Sequence, residues 1–438
     1  MFPNPQDALP LPPQPDLAQY KKRAKDLLKA FQSPDPAALR TWAASWIDSL
    51  ARLSGPSRER RRERTDSQSS ESKSSSVIPS EVAVPQSGAA TQSRDLLFSL
   101  PNPGIDQLEN FARQKLAETP TLTAAQFVIA RAQGFEGWPK LAKHVESIAI
   151  ANSEVSSFEH AADAVVTGDT ATLERLLREH PDLTRAHSTR RHQATLLHYV
   201  SANGVEGYRQ KTPRNIVQIA ELLLASGADV NAIADVYGGS TTLALVATSV
   251  HPERAGVQGA LMQLLLDHGA TLDTANSPAG SLITVCLANG RAPAAEFLAQ
   301  SGARLDLEGA AGLGRLDVVK TFFNDSGALQ ANATAAQMER GFLWACEYGR
   351  NQVIDFLLDR GVSIQAQANT GQTALHWAVI GGHLDTITLL LNRGADLEAK
   401  NMYGGTALGQ ALWSAAHGGD STIDYARIVE FLKHRGAS

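Results

Sequence analysis

The chain has 438 residues, a formal charge of −5, and is 43% hydrophobic but only 6% aromatic. That balance supplies an ample core and argues against a chain built to coat nucleic acid or anionic lipid, which needs a strongly basic field. Small residues dominate the apolar set, as in close helix-on-helix stacking, and no apolar run approaches the roughly 18–20 residues that span a bilayer.

The Pro-rich start, Met1 to Pro15, lacks the basic-then-apolar order of a signal peptide. Asp16 is the predicted N-cap of a first helix, with Leu17, Tyr20, Ala24, Leu27, Leu28 and Phe31 on one apolar face. Ser33-Pro34-Asp35-Pro36 breaks it, and a second helix carries Leu39, Trp42, Trp46, Leu50 and Leu53 on one stripe. Residues 1–53 therefore read as an amphipathic helical hairpin. The character changes over residues 54–94, where an arginine-rich run from Arg58 to Arg64 precedes a Ser-dominated stretch. Too little is apolar there to offset the entropy of ordering, so a disordered linker is expected. Order returns over 95–151, with a helix from Ile105 to Leu116 and another opened by Thr123, whose capping box would be closed by Gln126. Pro139 fits the first turn of a last helix. Phe127, Ile129, Phe135, Trp138, Leu141 and Val145 would pack this unit, which is expected to cap the larger segment C-terminal to it.

From Phe158 one unit recurs: a short helix ending in Gly, a Leu-rich helix, Gly-Ala, then an extended tip. Thr373 and Thr406, each opening a Thr-Ala-Leu run, lie 33 residues apart. Gly349 to Gly382 and Gly361 to Gly394 keep the same period. Gly168, Gly204, Gly290, Gly314, Gly349 and Gly382 end first helices. Gly227, Gly269, Gly302, Gly327, Gly394 and Gly436, each followed by Ala, end second helices, with Gly361-Val362 a variant. A left-handed residue that ends a helix is the physical role of glycine here. A fixed period of this length marks a stacked array.

These residues resemble the ankyrin repeat, most closely at Thr373-Ala374-Leu375-His376, Thr195-Leu196-Leu197-His198 and Gly227-Ala228-Asp229-Val230-Asn231. The likeness covers 158–437, about two-thirds of the chain and about eight repeats. More narrowly, Gly204 to Pro213, Phe342 to Arg350, Tyr20 to Lys22 and Phe127 to Leu141 look like a family of bacterial ankyrin proteins without an assigned activity. The resemblance implies an all-α ankyrin-repeat solenoid of helix-turn-helix units with β-turn fingers, preceded by helical segments and the linker. Departures occur. Proline is missing from the Thr-x-Leu-His motif, and Gly290 to Gly314 spans only 24 residues, so one finger is largely lost. Insertions at Val205 to Arg214, His251 to Gln258 and near His417 to Asp424 read as functional decorations or neutral surface growth.

No zinc-spaced Cys/His cluster, His-Glu-x-x-His or Gly-x-Ser-x-Gly motif is present. Gly309 to Gly314 superficially resembles a phosphate loop but sits inside a helical repeat, not after a strand. His198 and His376 are expected to bridge backbone groups of a turn. Cys286 and Cys346, in separate repeats, read as buried hydrophobes in a reducing cytosol. No catalytic residue, cofactor or metal is expected.

The ankyrin register implies a concave face lined by finger tips and by residues just before the first helix's Gly. The candidate protein-binding residues are Val236, Tyr237, Asn289, Glu347, Tyr348, Asn369, Thr370, Ile380, Met402 and Tyr403. Tyr237, Tyr348, Tyr403, Ile380 and Met402 are expected to be exposed, the three tyrosines acting as anchors. The expected function is a non-catalytic, cytoplasmic scaffold or adaptor for an unidentified protein, with no nucleic acid, membrane or small-molecule substrate. A secreted effector or toxin-linked regulator acting by binding, and an enzyme hidden in the N-terminal helical region, are the alternatives.

Overall fold

The computed structural model describes residues 4–12, 14–53, 103–272, 281–417 and 422–437. The linker expected at 54–94, with its arginine run, lies outside the described residues, as do the Leu53 side chain and part of the last insertion. Helix α1 (Leu17–Phe31) starts where Asp16 Oδ1 accepts the Ala18 amide at 2.8 Å. It pairs with α2 (Ala38–Leu53); α2 lies against α3 (Pro103–Glu118), and α1 against α4 (Leu122–Ala132). Tyr20, Ala24, Leu27, Trp42, Trp46 and Leu50 share one apolar cluster with Leu108, Leu116, Ile129 and Phe135. The N-cap of α4 is Thr121, whose Oγ1 accepts the Ala124 amide, rather than Thr123. Pro120 cannot continue a helix with an amide donor, so the first residue free to cap is the one directly after it. Helix α5 (Trp138–Ile148) begins with proline in its first turn and packs on α6.

Eight helix pairs come next among the described residues. They are α6 (Glu154–Thr167) with α7 (Thr170–Glu179), and the 3₁₀ segment Leu196–Ser201 with α8 (Ile216–Ala225). After these come α9 (Thr242–Thr248) with α11 (Gln258–Asp267), α10 (Val250–Arg254) lying between them, and α12 (Leu282–Ala288) with α13 (Ala292–Gln300). The rest are α14 (Leu307–Leu313) with α15 (Leu316–Lys320), α16 (Ala335–Glu347) with α17 (Asn351–Asp359), α18 (Ala374–Ile380) with α19 (Leu384–Asn392), and α20 (Ala407–Ala416) with α21 (Tyr425–His434). Each first helix packs on the next in chain order. The only sheet among the described residues is a finger, β1 (Ile233–Ala234) antiparallel to β2 (Ser240–Thr241), with Ile233 opposite Thr241.

All thirteen glycines that close first or second helices have φ between 68° and 97°. Gly314 shows the reason: its left-handed turn lets its own amide reach the Ala311 carbonyl and the Arg315 amide reach Ala310, satisfying carbonyls the helix would leave bare. Side-chain oxygens do the same at the other end, Ser153, Asp169, Thr241, Ser281 and Asp306 each accepting an amide of the first turn. The shortened unit divides the apolar interior in two. One core runs from Phe158 to Ala303 and takes in Leu313 and Tyr348, the next runs from Leu307 to Leu432, and Leu305 touches both.

Glycine also sets how closely helices approach. A Cβ on Gly312 would lie 2.5 Å from Leu287 Cδ1, and one on Gly309 3.0 Å from Ile283 Cγ2. The Gly309 to Gly314 stretch is thus a helix-packing surface rather than a phosphate cradle. At Gly381 a Cβ would stand 1.9 Å from the Glu347 carbonyl of the preceding repeat, although its φ of −73° is ordinary helix. Gly381→Ala is therefore expected to cost about 1–3 kcal/mol by overpacking alone. Gly259→Ala in α11, where nothing lies within 4 Å, should gain up to about 1 kcal/mol. Urea melts of the two variants check the contrast.

Candidate functional site

The fingers are where side chains leave the stack. In the last one, Asn401 Oδ1 accepts the amides of both Tyr403 and Gly405 at 3.0 Å, pinning a tight loop. Met402 and Tyr403 project from it, 61% and 70% exposed. The Met402 amide donates to the Thr370 carbonyl at 3.0 Å, tying this tip to the previous one. There Asn369 is exposed, and half-buried Thr370 donates through Oγ1 to Gln372 Oε1 at 3.2 Å. These four residues are brought together. Tyr237 stands apart in the finger before α9, 59% exposed, its hydroxyl within reach of Asn203 Oδ1 (3.3 Å) and Gln6 Oε1 (3.4 Å). Its φ of 52° is left-handed, a conformation costing a non-glycine residue about 1 kcal/mol. Five helix steps separate the two fingers, which at roughly 8–10 Å each places them on the order of 40–50 Å apart.

The positions before the first helix's glycine behave differently from expectation. Tyr348 is buried, its hydroxyl donating to the Leu287 carbonyl at 2.5 Å. Glu347 is buried beside it, and Val236 lies beneath Gly204, packed within the core. Ile380 is half-buried, with its carbonyl accepting from the Tyr425 hydroxyl at 3.1 Å. Of this group only Asn289 is exposed, its Nδ2 donating to the Val285 carbonyl. The C-terminal end of a first helix meets the neighbouring repeat, so an aromatic there fills the joint instead of facing solvent. Tyr348 is not an exposed anchor.

Exposed Leu412 and Trp413 were not foreseen, the indole stacking on His417 with centroids 4.9 Å apart. The signal was present: Leu408, Ala411 and Ser414 already take the inward face of α20, so an adjacent Leu-Trp pair has to point outward.

The imidazoles of the Thr-x-Leu-His motifs close capping boxes, taking the place usually held by Glu or Gln. His198 Nδ1 accepts the Thr195 amide at 3.1 Å, and Nε2 donates toward the Ala232 carbonyl (3.1 Å) and that of Ser240 (3.3 Å). His376 repeats this with the Thr373 amide and the Gly405 carbonyl. Each histidine ties a helix start to the following finger and must be neutral to accept at Nδ1. Burial pushes the His198 pKa down to about 4.

The densest titratable cluster is enclosed. Val205 to Arg214, expected as functional decoration or neutral surface growth, instead folds inward and buries Glu206 and Arg209 beside Glu159 and Arg190. Arg190 pairs through Nε with Glu206 and through Nη2 with Glu159 at 3.3 Å. Arg209 Nη1 meets Glu159 Oε2 at 2.8 Å and Glu206 Oε1 at 3.4 Å, and its Nε holds Asp163. The Arg190 guanidinium also donates to the Gln133 carbonyl at 2.9 Å and to the Tyr208 hydroxyl, and lies over the Phe135 ring. Burial pushes the Glu159 carboxyl up, but Arg209 and Arg190 outweigh it and leave it at about 2. Two charges of each sign thus join α6 to the two loops that follow it, and Arg190 reaches the end of α4 through the Gln133 carbonyl. Both thiols are buried as well, Cys286 pushed up to about 12 by burial. Among the described residues no group of three or more His, Cys, Asp or Glu could hold a metal, and no helix is long and apolar enough to cross a membrane.

Residues 307–401 and 342–437 match the family model for ankyrin repeats, in three copies. No curated protein matches the chain. Among solved structures, the ankyrin repeat domain of Bcl-3, a unique member of the IkappaB protein family, is similar at 19% identity, with 63% of this chain and 97% of that one covered and a TM-score of 0.30.

Removing one charge from the enclosed cluster strands the opposite ones, so Glu206→Gln is expected to cost about 3–5 kcal/mol. Arg393→Ala, which breaks only exposed pairs with Asp355 and Asp359, should leave the unfolding midpoint almost where it is. Denaturant melts separate the two. For His198 the folded pKa of about 4 lies below the ordinary 6.5, so the folded state binds fewer protons. Its contribution is complete above pH 6.5 and is lost as pH falls through 4. Melting temperature should decline across that window, and less steeply in His198→Gln.

Proposed function

The chain is an ankyrin-repeat protein, and from that premise we propose that it is a non-catalytic scaffold whose fingers bind a partner protein in the cytoplasm. Ankyrin repeats are in general protein–protein interaction modules. The single observation that carries the reading is the pinned tip at Asn401 to Gly405, which holds Met402 and Tyr403 out from the stack. A large apolar side chain left in water on a rigid loop contributes nothing to folding, and it contributes binding energy once covered. Because the loop is already fixed by hydrogen bonds, little ordering cost opposes docking. Asn369 and Thr370 on the adjoining tip extend the same surface with polar groups, and exposed Asn289 belongs to this proposal with less support. Tyr237 forms a second, distant point of contact.

The titratable groups favour binding over chemistry. His198 and His376 are committed to backbone bonds, and the Glu159, Arg190, Glu206 and Arg209 charges are spent on one another. In this reading helices α3 to α5 serve as the cap of the array, and no cofactor or small-molecule substrate takes part.

A tip aromatic in a docked interface is worth about 2 kcal/mol, a factor of about 30 in affinity. In-cell crosslinking followed by affinity capture from the native lysate should show Met402→Ala/Tyr403→Ala losing at least tenfold of the proteins recovered by the natural chain. The melting temperature should stay within about 2 °C of it, because both side chains are exposed. Unchanged recovery overturns the proposal.

A further inference from the structure

The start of the chain lies in a seat built from three separate elements. Pro5 to Asp7 form one 3₁₀ turn, closed by Asn4 donating its amide to Asp7 Oδ2 at 2.9 Å. This turn packs on the Gly207–Arg209 turn of the first insertion. Ala8 is buried over Gly134, and the Leu9 amide donates to the Ala132 carbonyl at 2.8 Å. Gln6 reaches the hydroxyl of Tyr237.

Two glycines leave room for this strand. A Cβ on Gly207 would lie 2.6 Å from the Gln6 carbonyl, and one on Gly134 3.1 Å from Ala8 Cβ. Gly207 has no left-handed φ, so its own backbone does not call for glycine; the space beside Gln6 does. The seat is also rigid. Gly207 is flanked by the buried Glu206 and Arg209, and three consecutive carbonyls are each engaged: Ala132 by the strand, Gln133 by Arg190, Gly134 by the Arg191 amide. Among the described residues the segment is held by the packing of its turn, the Gln6 contact to Tyr237, one backbone hydrogen bond to Ala132, one buried methyl and half-buried Leu9 and Leu11. Prolines at 5, 10 and 12 pre-order it. A rigid seat holding a short, pre-ordered segment is the arrangement of a peptide site filled in cis.

We infer that this seat is a peptide-docking site whose resident occupant is the chain's own start, and that a partner protein enters it with a proline-flanked segment of the same kind. The segment carries a small apolar residue for Gly134 and a carboxamide for Tyr237. This deepens the binding reading above, and rests on it, at the opposite end of the array from Met402 and Tyr403.

The test uses the full chain carrying Ala8→Arg, which cannot seat over Gly134, and a fluorescent peptide of residues 3–12 read by anisotropy. The peptide is expected to bind the variant at least tenfold more tightly than the natural chain, whose seat is filled. Adding Gly207→Ala to Ala8→Arg should remove that gain. Equal binding to both proteins, no binding to a folded Ala8→Arg variant, or full binding to the double variant overturns the inference. If Ala8→Arg fails to fold, hydrogen exchange at the Leu9 amide in full-length Gly207→Ala decides. Exchange at least tenfold faster, with the repeat amides unchanged, supports the seat, and unchanged protection overturns it. Loss of peptide binding with intact capture through Met402 and Tyr403 removes this site alone, and the reverse result removes the finger surface alone.

Discussion

A pair of helices of five to fourteen residues each cannot hide its apolar side by itself; only another pair laid against it can do so. Every other property of this chain stems from that need. Helices this short must end abruptly and at the same place in each unit, and left-handed glycines provide the stop. Helix faces must come close, so alanine and glycine line the contacts, down to Gly381 with the Glu347 carbonyl beneath it. Where one finger is lost before α14, the interior separates into two cores bridged by Leu305.

At the first repeats the chain adds charge to apolar packing. The quartet of Glu159, Arg190, Glu206 and Arg209 draws on α6, on two loops and on the end of α4 through the Gln133 carbonyl. Desolvating four charges is expensive, and the arrangement holds because each guanidinium serves several acceptors at once. Its return is directional: apolar packing tolerates sliding, whereas forked hydrogen bonds fix the insertion in one place. The same fixation sets Gly207 against the start of the chain.

The proposed binding surface falls where the stack no longer needs the side chain. The repeat interior is committed, its histidines to carbonyls and its tyrosine at 348 to Leu287. The outward remainder is a row of fingers tied to their neighbours, Asn231 Nδ2 to the Gly269 carbonyl at the next helix end and Met402 to Thr370 from tip to tip. A surface of that kind suits recognition of another protein better than catalysis, because it offers spacing and rigidity without an enclosing wall.

The periodic glycines, the Thr-x-Leu-His motifs and the 33-residue spacing determined the repeat fold by themselves, since each acts within a few residues of its own backbone. Exposure of Tyr237, Met402 and Tyr403 was legible for the same reason: a turn tip leaves the core wherever the array goes. Burial of Tyr348, Glu347 and Val236 was not, because it depends on which neighbouring repeat lies across the helix end. The Val205 to Arg214 insertion read from the repeat spacing as decoration or surface growth, and only the tertiary structure, by bringing Glu159 and Arg190 to meet Glu206 and Arg209, turned its charges inward. Local rules fix what a residue can do with its own backbone; long-range pairing decides what a charge or a ring will touch.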